Sequence, residues 1–400
     1  MNAGVASEDE FVARTVLREL SRIDRGVPTP FGTDREPTAA GVERRRSPTG
    51  VPFWMATDSG TCKSVLGQAA VSRSAACAPS APSLLANPTI SPRSIMSVDG
   101  AQHAKLKRAA MKRLGKHAAV TRCANILERT RTLLNGMPDA ATVDLVPAFT
   151  AKLPLLNLVD LLGLPESSIA EFGGAGEVFF DFDSLSPEQA AQRVARLLHF
   201  CLRTFGDPEQ ASDGAIADFQ RDPALSRKEA VELTLAFLTA GYHTVAGQLS
   251  LVLYAALASP VIGDLMRQSA APEPLVKILV HAMPVTTVSF PRRMTAPLMV
   301  DGNDFRSGDM VVAGLGEAGE RDLSDEEVPV AAHENGLAFG YGRHRCPGEQ
   351  FSIEQITTAA MQFLHRYPRA ALSKTDDAIV WQAGLTTRGI SKMIVELDAS

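Results

Sequence analysis

The 400-residue sequence has little cysteine, no strong charge of either sign and no long apolar run. Its five cysteines, Cys62, Cys77, Cys123, Cys201 and Cys346, form no CxxC pair, which argues against a zinc site or a disulfide framework. A net charge of -5 and a pI near 6.0 leave no global basic field, so no nucleic acid partner is expected. No apolar run reaches the roughly 18 residues that cross a bilayer, so no membrane association is expected. The first residues, MNAGVASEDEFVARTVLREL, are acidic and then amphipathic, unlike a signal peptide, and a cytoplasmic location follows as the expectation. Internal repeats and low-complexity linkers are also missing.

What is present is an ordinary globular composition, 45% hydrophobic and 21% charged, with mean hydropathy near zero. Helical periodicity dominates. FVARTVLRELSRI, KLPLLNLVDLLGL and EQAAQRVARLLHFCLRTF all space apolar residues three and four apart. RKEAVELTLAFLTAGYHTVAGQLSLVLYAALA is the longest such stretch, and is apolar on all sides, so one long helix through the middle of the fold is expected. Strand signals are few: VPFWMAT, LMVDG followed by DMVVAGL, and ISKMIVEL. The fold class is therefore mainly α with small peripheral β-sheets. Residues 72–96, rich in Ser, Ala and Pro and without period, read as a long loop of the functional kind. About ten residues at the N-terminus read as flexible.

The stretch LAFGYGRHRCPGEQFSIEQITTAAMQFL, residues 337–364, carries the strongest chemical signal. Gly340 and Gly342 allow a tight turn with close approach of backbone to a flat ligand. Pro347 suits the first turn of a helix continued by Phe351, Ile353, Ile356, Ala360, Phe363 and Leu364. Cys346 then lies at a helix N-terminus, where free N–H groups and the dipole stabilise a thiolate. Such a cysteine is structural, a nucleophile or a metal ligand.

Phe-Gly-Tyr-Gly-Arg-His-Arg-Cys-Pro-Gly closely resembles the haem signature of the cytochrome P450 family at every fixed position, from Phe339 and Gly340 through His344 and Cys346 to Gly348. The resemblance implies the triangular-prism helical body of that family, one domain over 1–400, and haem b (iron protoporphyrin IX) as cofactor. Cys346 would be the axial thiolate, which favours O–O cleavage. His344 would bond a haem propionate, and Phe339 would pack near the sulfur. SIMSVDGAQHAKLKRAAMKRL is similar to the family helix whose histidine and basic residue bind a propionate, here His103 and Lys107, on one helix face. Lys107 stands where Arg is usual. VSFPRRMTAPLMVDG resembles the strand that supplies a further propionate-binding arginine, Arg292, with Arg293 as the alternative register. TAGYHTVAG resembles the oxygen-binding groove: Ala240, Gly241 and Thr244 match, and His243 replaces the acid. Thr244 and His243 are thus the catalytic candidates for proton delivery.

Two features depart from the family pattern. The Glu-x-x-Arg pair is absent, its positions in EPLVKILVHAMPV being Lys277 and Val280, and the following loop offers no arginine after Arg321. The resemblance implies either a monooxygenase or oxidative-coupling enzyme using O2, a peroxide-using enzyme suggested by His243, or a haem-binding relative without turnover. No reductase segment is seen, so a ferredoxin or flavodoxin with its reductase is the implied electron source. Lys112, Arg113, Arg343 and Arg345 are the basic candidates to receive it. By position, the pocket would be lined by the loop of Ala75 to Ile95, Phe179 to Phe182, Phe237, Thr287, Val288, Phe290, Leu385 and Thr386. Mostly apolar with a few hydroxyls, this lining suits a small hydrophobic or aromatic substrate, as in secondary-metabolite tailoring. VSFPRR and Pro347 are also similar to members that couple aromatic rings of cyclic dipeptides.

Overall fold

The computed structural model describes residues 8–26, 31–37, 41–85, 90–137, 142–170, 186–205 and 213–398. Helix α1 (Glu8–Leu20) starts inside the segment expected to be flexible; residues 1–7 lie outside the described residues. Strands β1 (Thr33–Pro37), β2 (Val42–Arg46) and β3 (Pro52–Ala56) lead into α2 (Ser59–Gly67), whose N-terminus Asp58 caps by accepting from the Thr61 N–H. After β4 (Val71–Ser72), the expected long loop contains a one-turn helix, α3 (Arg73–Ala76), and a hydrogen-bonded turn at Ser94–Ser97. Residues 86–89 of that loop are outside the described set.

Helices α4 (Gly100–Leu114) and α5 (Lys116–Asn135), strand β5 (Thr142–Asp144) and helix α6 (Lys152–Leu162) follow. Gly163 ends α6 in the left-handed region, φ 77°, where an added Cβ would lie 2.1 Å from the Asp213 carbonyl oxygen. Helices α7 (Pro187–Thr204), α8 (Ala215–Arg221) and α9 (Arg227–Ala240) come next, α7 and α9 each starting on a capping box, Ser186 with Gln189 and Ser226 with Glu229. Phe179 to Phe182 lie outside the described residues.

The expected single long helix is two: α9 and α10 (His243–Ala258), separated at Gly241–Tyr242. Gly241 still donates to the Phe237 carbonyl (2.9 Å), and beyond the break the Thr244 hydroxyl donates to the Ala240 carbonyl (2.6 Å) four residues before it. Ser259 and Pro260 then turn the chain into α11 (Pro260–Gln268), followed by α12 (Glu273–Ala282). The remaining elements are β6 (Arg292–Met294), β7 (Leu298–Val300), β8 (Asn303–Phe305), β9 (Met310–Ala313), α13 (Leu315–Ser324), α14 (Val330–Glu334), α15 (Glu349–Arg366), β10 (Ala371–Leu372), β11 (Ile379–Ala383) and β12 (Arg388–Glu396).

One sheet is larger than expected, six strands in the order β1-β2-β3-β9-β6-β4, with β3 and β9 parallel. A second groups β10, β12 and β11, with β5 on β12, and β7–β8 is a hairpin turning at Asp301 (φ 48°) and Gly302 (φ 78°). The main core surrounds α10, whose Leu249 and Leu251 to Ala256 are buried against α1, α11, α12, α15 and β12. Each fully buried Leu or Ile there contributes about 1.5–3 kcal/mol. A second cluster joins α4, α6, α8 and α9 to Phe351 of α15. No single helix among the described residues is long and apolar enough to cross a membrane.

Candidate active site

The site forms where the loop before α15 meets α2, α3, α4 and β6. Gly340 and Gly342 both take φ 72°, and at Gly342 a Cβ would approach the Leu66 carbonyl oxygen of α2 to 2.8 Å, so glycine is required there. The Gly340 N–H donates to the Leu337 carbonyl (2.7 Å) and the Cys346 N–H to the Phe339 carbonyl (2.8 Å), closing the loop on itself. Helix α15 therefore begins later than the sequence suggests, with Gly348 at the N-cap and Pro347 ahead of it. Cys346 is exposed, yet so closely surrounded that burial pushes its thiol up. The Gly348 backbone N–H and the charges of Lys107 and Arg345 pull the other way without reversing the shift. The helix terminus alone does not set the thiolate.

Lys107 is placed differently from the propionate role implied for it: Nζ donates to the carbonyls of Arg343 (2.8 Å) and Arg345 (3.1 Å). A compact ammonium with three donors suits two converging carbonyls, which a flat guanidinium would meet less well. His103 is buried and packs against His344 with ring centroids 4.2 Å apart and planes tilted by 47°; burial and Lys107 hold its imidazole below the usual range. His344 Nε2 lies 2.8 Å from Asp99 Oδ1, and burial lowers the imidazole to about 4 despite that carboxylate. Asp99 also accepts from the Ser72 hydroxyl (2.7 Å) and the Ser74 N–H (2.9 Å). Burial alone would raise its carboxyl, but these bonds hold it well below the usual carboxylate range.

Arg292 is 5% exposed, and burial together with neighbouring Arg73 lowers it to about 10. Its Nε and Nη1 have no hydrogen-bond partner among the described residues. Arg73, also buried, donates to the carbonyls of Met96 (2.8 Å) and Pro291 and lies over the Phe290 ring at 5.2 Å. A buried guanidinium with open donors calls for an anion, which a haem carboxylate supplies. The open sulfur of Cys346, the glycine-lined turn and the Arg292 donors together fit a flat dicarboxylate metal macrocycle.

Sequence reasoning missed Asp99 and Arg73. Asp99 directly precedes the helix that carries His103, and its side chain makes no cap bond, turning instead to His344. Of the basic candidates for a redox partner, Lys112 pairs with Asp222 (2.8 Å), Arg113 with Asp213 (2.9 Å) and Asp218, and Arg345 with Glu349 (2.6 Å), while Arg343 bonds the Gln68 carbonyl. Phe339 packs against the main core. Ala240 is exposed at the end of α9, and Gly241, His243 and Thr244 are half-buried beyond it. The His243 and Tyr242 rings touch with centroids 4.2 Å apart and planes tilted by 52°.

The Thr287 N–H donates to the Thr386 carbonyl (3.0 Å), joining two distant segments beside Val288 and Leu385, which share a small cluster with Leu84. Phe290 is 46% exposed, whereas Phe237 is buried edge-on to Phe219 at 5.3 Å. A cavity lies between the 90–96 segment, α7 and α9, lined by Ile90, Ser94, Met96, Leu197, Glu232 and Ala236. Glu232 was not singled out from the sequence. It accepts from the Ser91 hydroxyl (2.9 Å) and pairs with Arg93 (3.2 Å).

No family model matches the chain. Comparison with curated proteins does find relatives. Cytochrome P450 105C1 of Streptomyces sp is 30% identical over 274 residues, covering 63% of this chain and 69% of that protein. The chain belongs to the cytochrome P450 family. A mycinamicin IV hydroxylase/epoxidase of Micromonospora griseorubida is 26% identical to this P450 over 370 residues, 87% of this chain and 90% of the other. Among solved structures, cytochrome P450 TxtC, which performs sequential thaxtomin hydroxylation, superposes with a TM-score of 0.79 at 21% identity, covering 89% of this chain and 96% of that one. This P450 is thus a haem-thiolate oxidoreductase of the monooxygenase class with haem b as cofactor.

Proposed function

We propose that this P450 oxygenates a small, partly apolar natural product in the cytoplasm, with electrons from a separate ferredoxin or flavodoxin and its reductase. The observation that carries turnover, rather than mere haem binding, is the break between α9 and α10 with Thr244 on the Ala240 carbonyl. At the break Ala240 is exposed and Gly241, His243 and Thr244 are half-buried, which supports an opening in the core there rather than a packed helix. The apolar surroundings of Val288, Phe290 and Leu385, with hydroxyls at Thr287 and Thr386, support a substrate of this kind. The mycinamicin IV hydroxylase/epoxidase and the nocardicin C N-oxygenase of Nocardia uniformis, 25% identical over 361 residues, both support insertion of an oxygen atom.

Haem b, when bound, supplies the redox chemistry that activates O2. The chain's part is separate. Cys346 would offer its sulfur to the iron, Arg292 with His103 would meet the carboxylates while Asp99 holds His344 in place, and Thr244 Oγ1, its own proton on the Ala240 carbonyl, would accept a hydrogen bond from the reacting group. Apolar side chains exclude water. His243 at the start of α10 supports a second reading, peroxide use, because an imidazole there accepts and returns a proton during O–O cleavage.

Candidate natural products are screened for substrate-induced spectral shifts, and binders are then incubated with ferredoxin, its reductase and NADPH, or with H2O2 alone. Oxygenated product from the first mixture supports the proposal. Product from H2O2 alone favours the second reading, and spectral shifts with no product from either favour a ligand-binding relative.

A further inference from the structure

Lys277 and Val280 cannot hold the cysteine loop through charge. Lys277 pairs with Glu273 (2.7 Å) at the surface of α12, and Val280 is 2% exposed in the main core. The next residue, His281, is 1% exposed. The Leu337 N–H donates to His281 Nδ1 at 3.1 Å, which places the ring proton on Nε2. Nε2 in turn donates to Asp322 Oδ2 at 2.8 Å, and the same oxygen accepts from the Ser59 hydroxyl at 2.6 Å. Three elements, α12, α13 and α2, therefore meet at one residue of the loop. Gly336 completes the fit, because a Cβ there would lie 2.1 Å from the His281 ring.

The anchor reaches the sulfur through few bonds. Leu337 is fully buried against Leu315 and Ala318 of α13 and Val65 and Leu66 of α2. Its carbonyl accepts from the Gly340 N–H, and the adjacent Phe339 carbonyl accepts from the Cys346 N–H. We propose that His281 and Asp322 are positioning residues for Cys346, standing in for the absent Glu-x-x-Arg pair by clamping Leu337 at the root of the ligand loop. The proposal rests on the family assignment of Cys346 and is independent of the substrate reading.

The test uses the full-length holoenzyme and the variants His281→Ala, His281→Asn, Asp322→Ala and Asp322→Asn, with Lys277→Ala as control. Asn at 281 keeps an acceptor for the Leu337 N–H, and Asn at 322 keeps one for Nε2–H. Three readouts apply: amide exchange of residues 337–346, the reduced carbon monoxide spectrum, and haem release to excess apomyoglobin. His281→Ala is expected to speed exchange and haem release by about ten-fold, the scale of one lost buried hydrogen bond, and to lose part of the thiolate-type band. His281→Asn and Asp322→Asn should recover most of both, and Lys277→Ala should match wild type. Unchanged exchange, release and band in His281→Ala overturn the proposal. If His281→Ala fails to fold, Asp322→Ala decides by the same readouts.

Discussion

Thr244 donates from Oγ1 to the Ala240 carbonyl at 2.6 Å, across the point where α9 gives way to α10. That bond occupies the hydroxyl's proton and leaves its lone pairs as acceptors, which a proton-passing group needs. Thr244→Val keeps the shape and removes the oxygen. Product per NADPH consumed should fall on the order of 100-fold, the lower end for a lost general acid or base, with O2 consumption continuing. Thr244→Ser should retain most coupling. Full coupling in Thr244→Val would leave the hydroxyl a structural role only.

Arg45 supplies a stability prediction. Its side chain is fully buried, with Nη1 and Nη2 on the Glu317 carboxylate (2.7 and 2.6 Å) and Nε and Nη2 on Glu43 (2.9 and 2.7 Å). The guanidinium thus ties β2 to α13, the helix that carries Asp322. Arg45→Ala leaves two partly buried carboxylates facing each other and should cost about 3 kcal/mol, read from the denaturant midpoint. A loss within error would mean that the carboxylates relax into solvent.

How much was legible follows from distance along the chain. The turn, the histidine and Cys346 lie within ten residues, and α6, α7 and α9 carry their own periodicity, so the candidate haem ligand and the helical body were readable. Strands β1 and β2, TDREP and VERRR, were not, because charged residues hide the alternation and β2 is fixed by pairing with β3, Arg45 opposite Phe53, and by the Arg45 pair with Glu317. The break at Gly241 was unreadable for a different reason: period alone does not tell a bent helix from a straight one. His281, Asp322 and Leu337 are individually unremarkable, and only the fold brings them together.

His333 predicts a pH dependence. Burial, then the neighbouring His281, lowers its imidazole to about 4, Arg14 adding slightly and Asp322 opposing. Its Nδ1 has no hydrogen-bond partner among the described residues. The native state thus resists protonation while the unfolded state accepts a proton near the ordinary 6.5. The full native stability is present above about 6.5 and is lost progressively as pH falls toward about 4. Urea unfolding at pH 7.0, 5.5 and 4.5 should show this decline, and His333→Gln should flatten it relative to wild type. Parallel declines in the two proteins would assign the slope to other buried histidines.

Glu232 ties the loop over the cavity to the central helix, accepting from Ser91 and pairing with Arg93. The two partners differ in weight. Arg93 is 62% exposed, so Arg93→Ala should cost under ~1 kcal/mol. Glu232 is 7% exposed, and Glu232→Ala strips the Ser91 hydroxyl of its acceptor beside an apolar wall. Amide exchange over residues 90–97 should accelerate in Glu232→Ala by about ten-fold and change little in Arg93→Ala, while Glu232→Gln, which still accepts from Ser91, should fall between. For a substrate entering past this loop, KM should rise in Glu232→Ala with kcat nearly unchanged, because the residue touches the entry segment and not the proton path through Thr244. Equal exchange in all three variants would place the hold on the loop elsewhere, in the Ser94 turn itself.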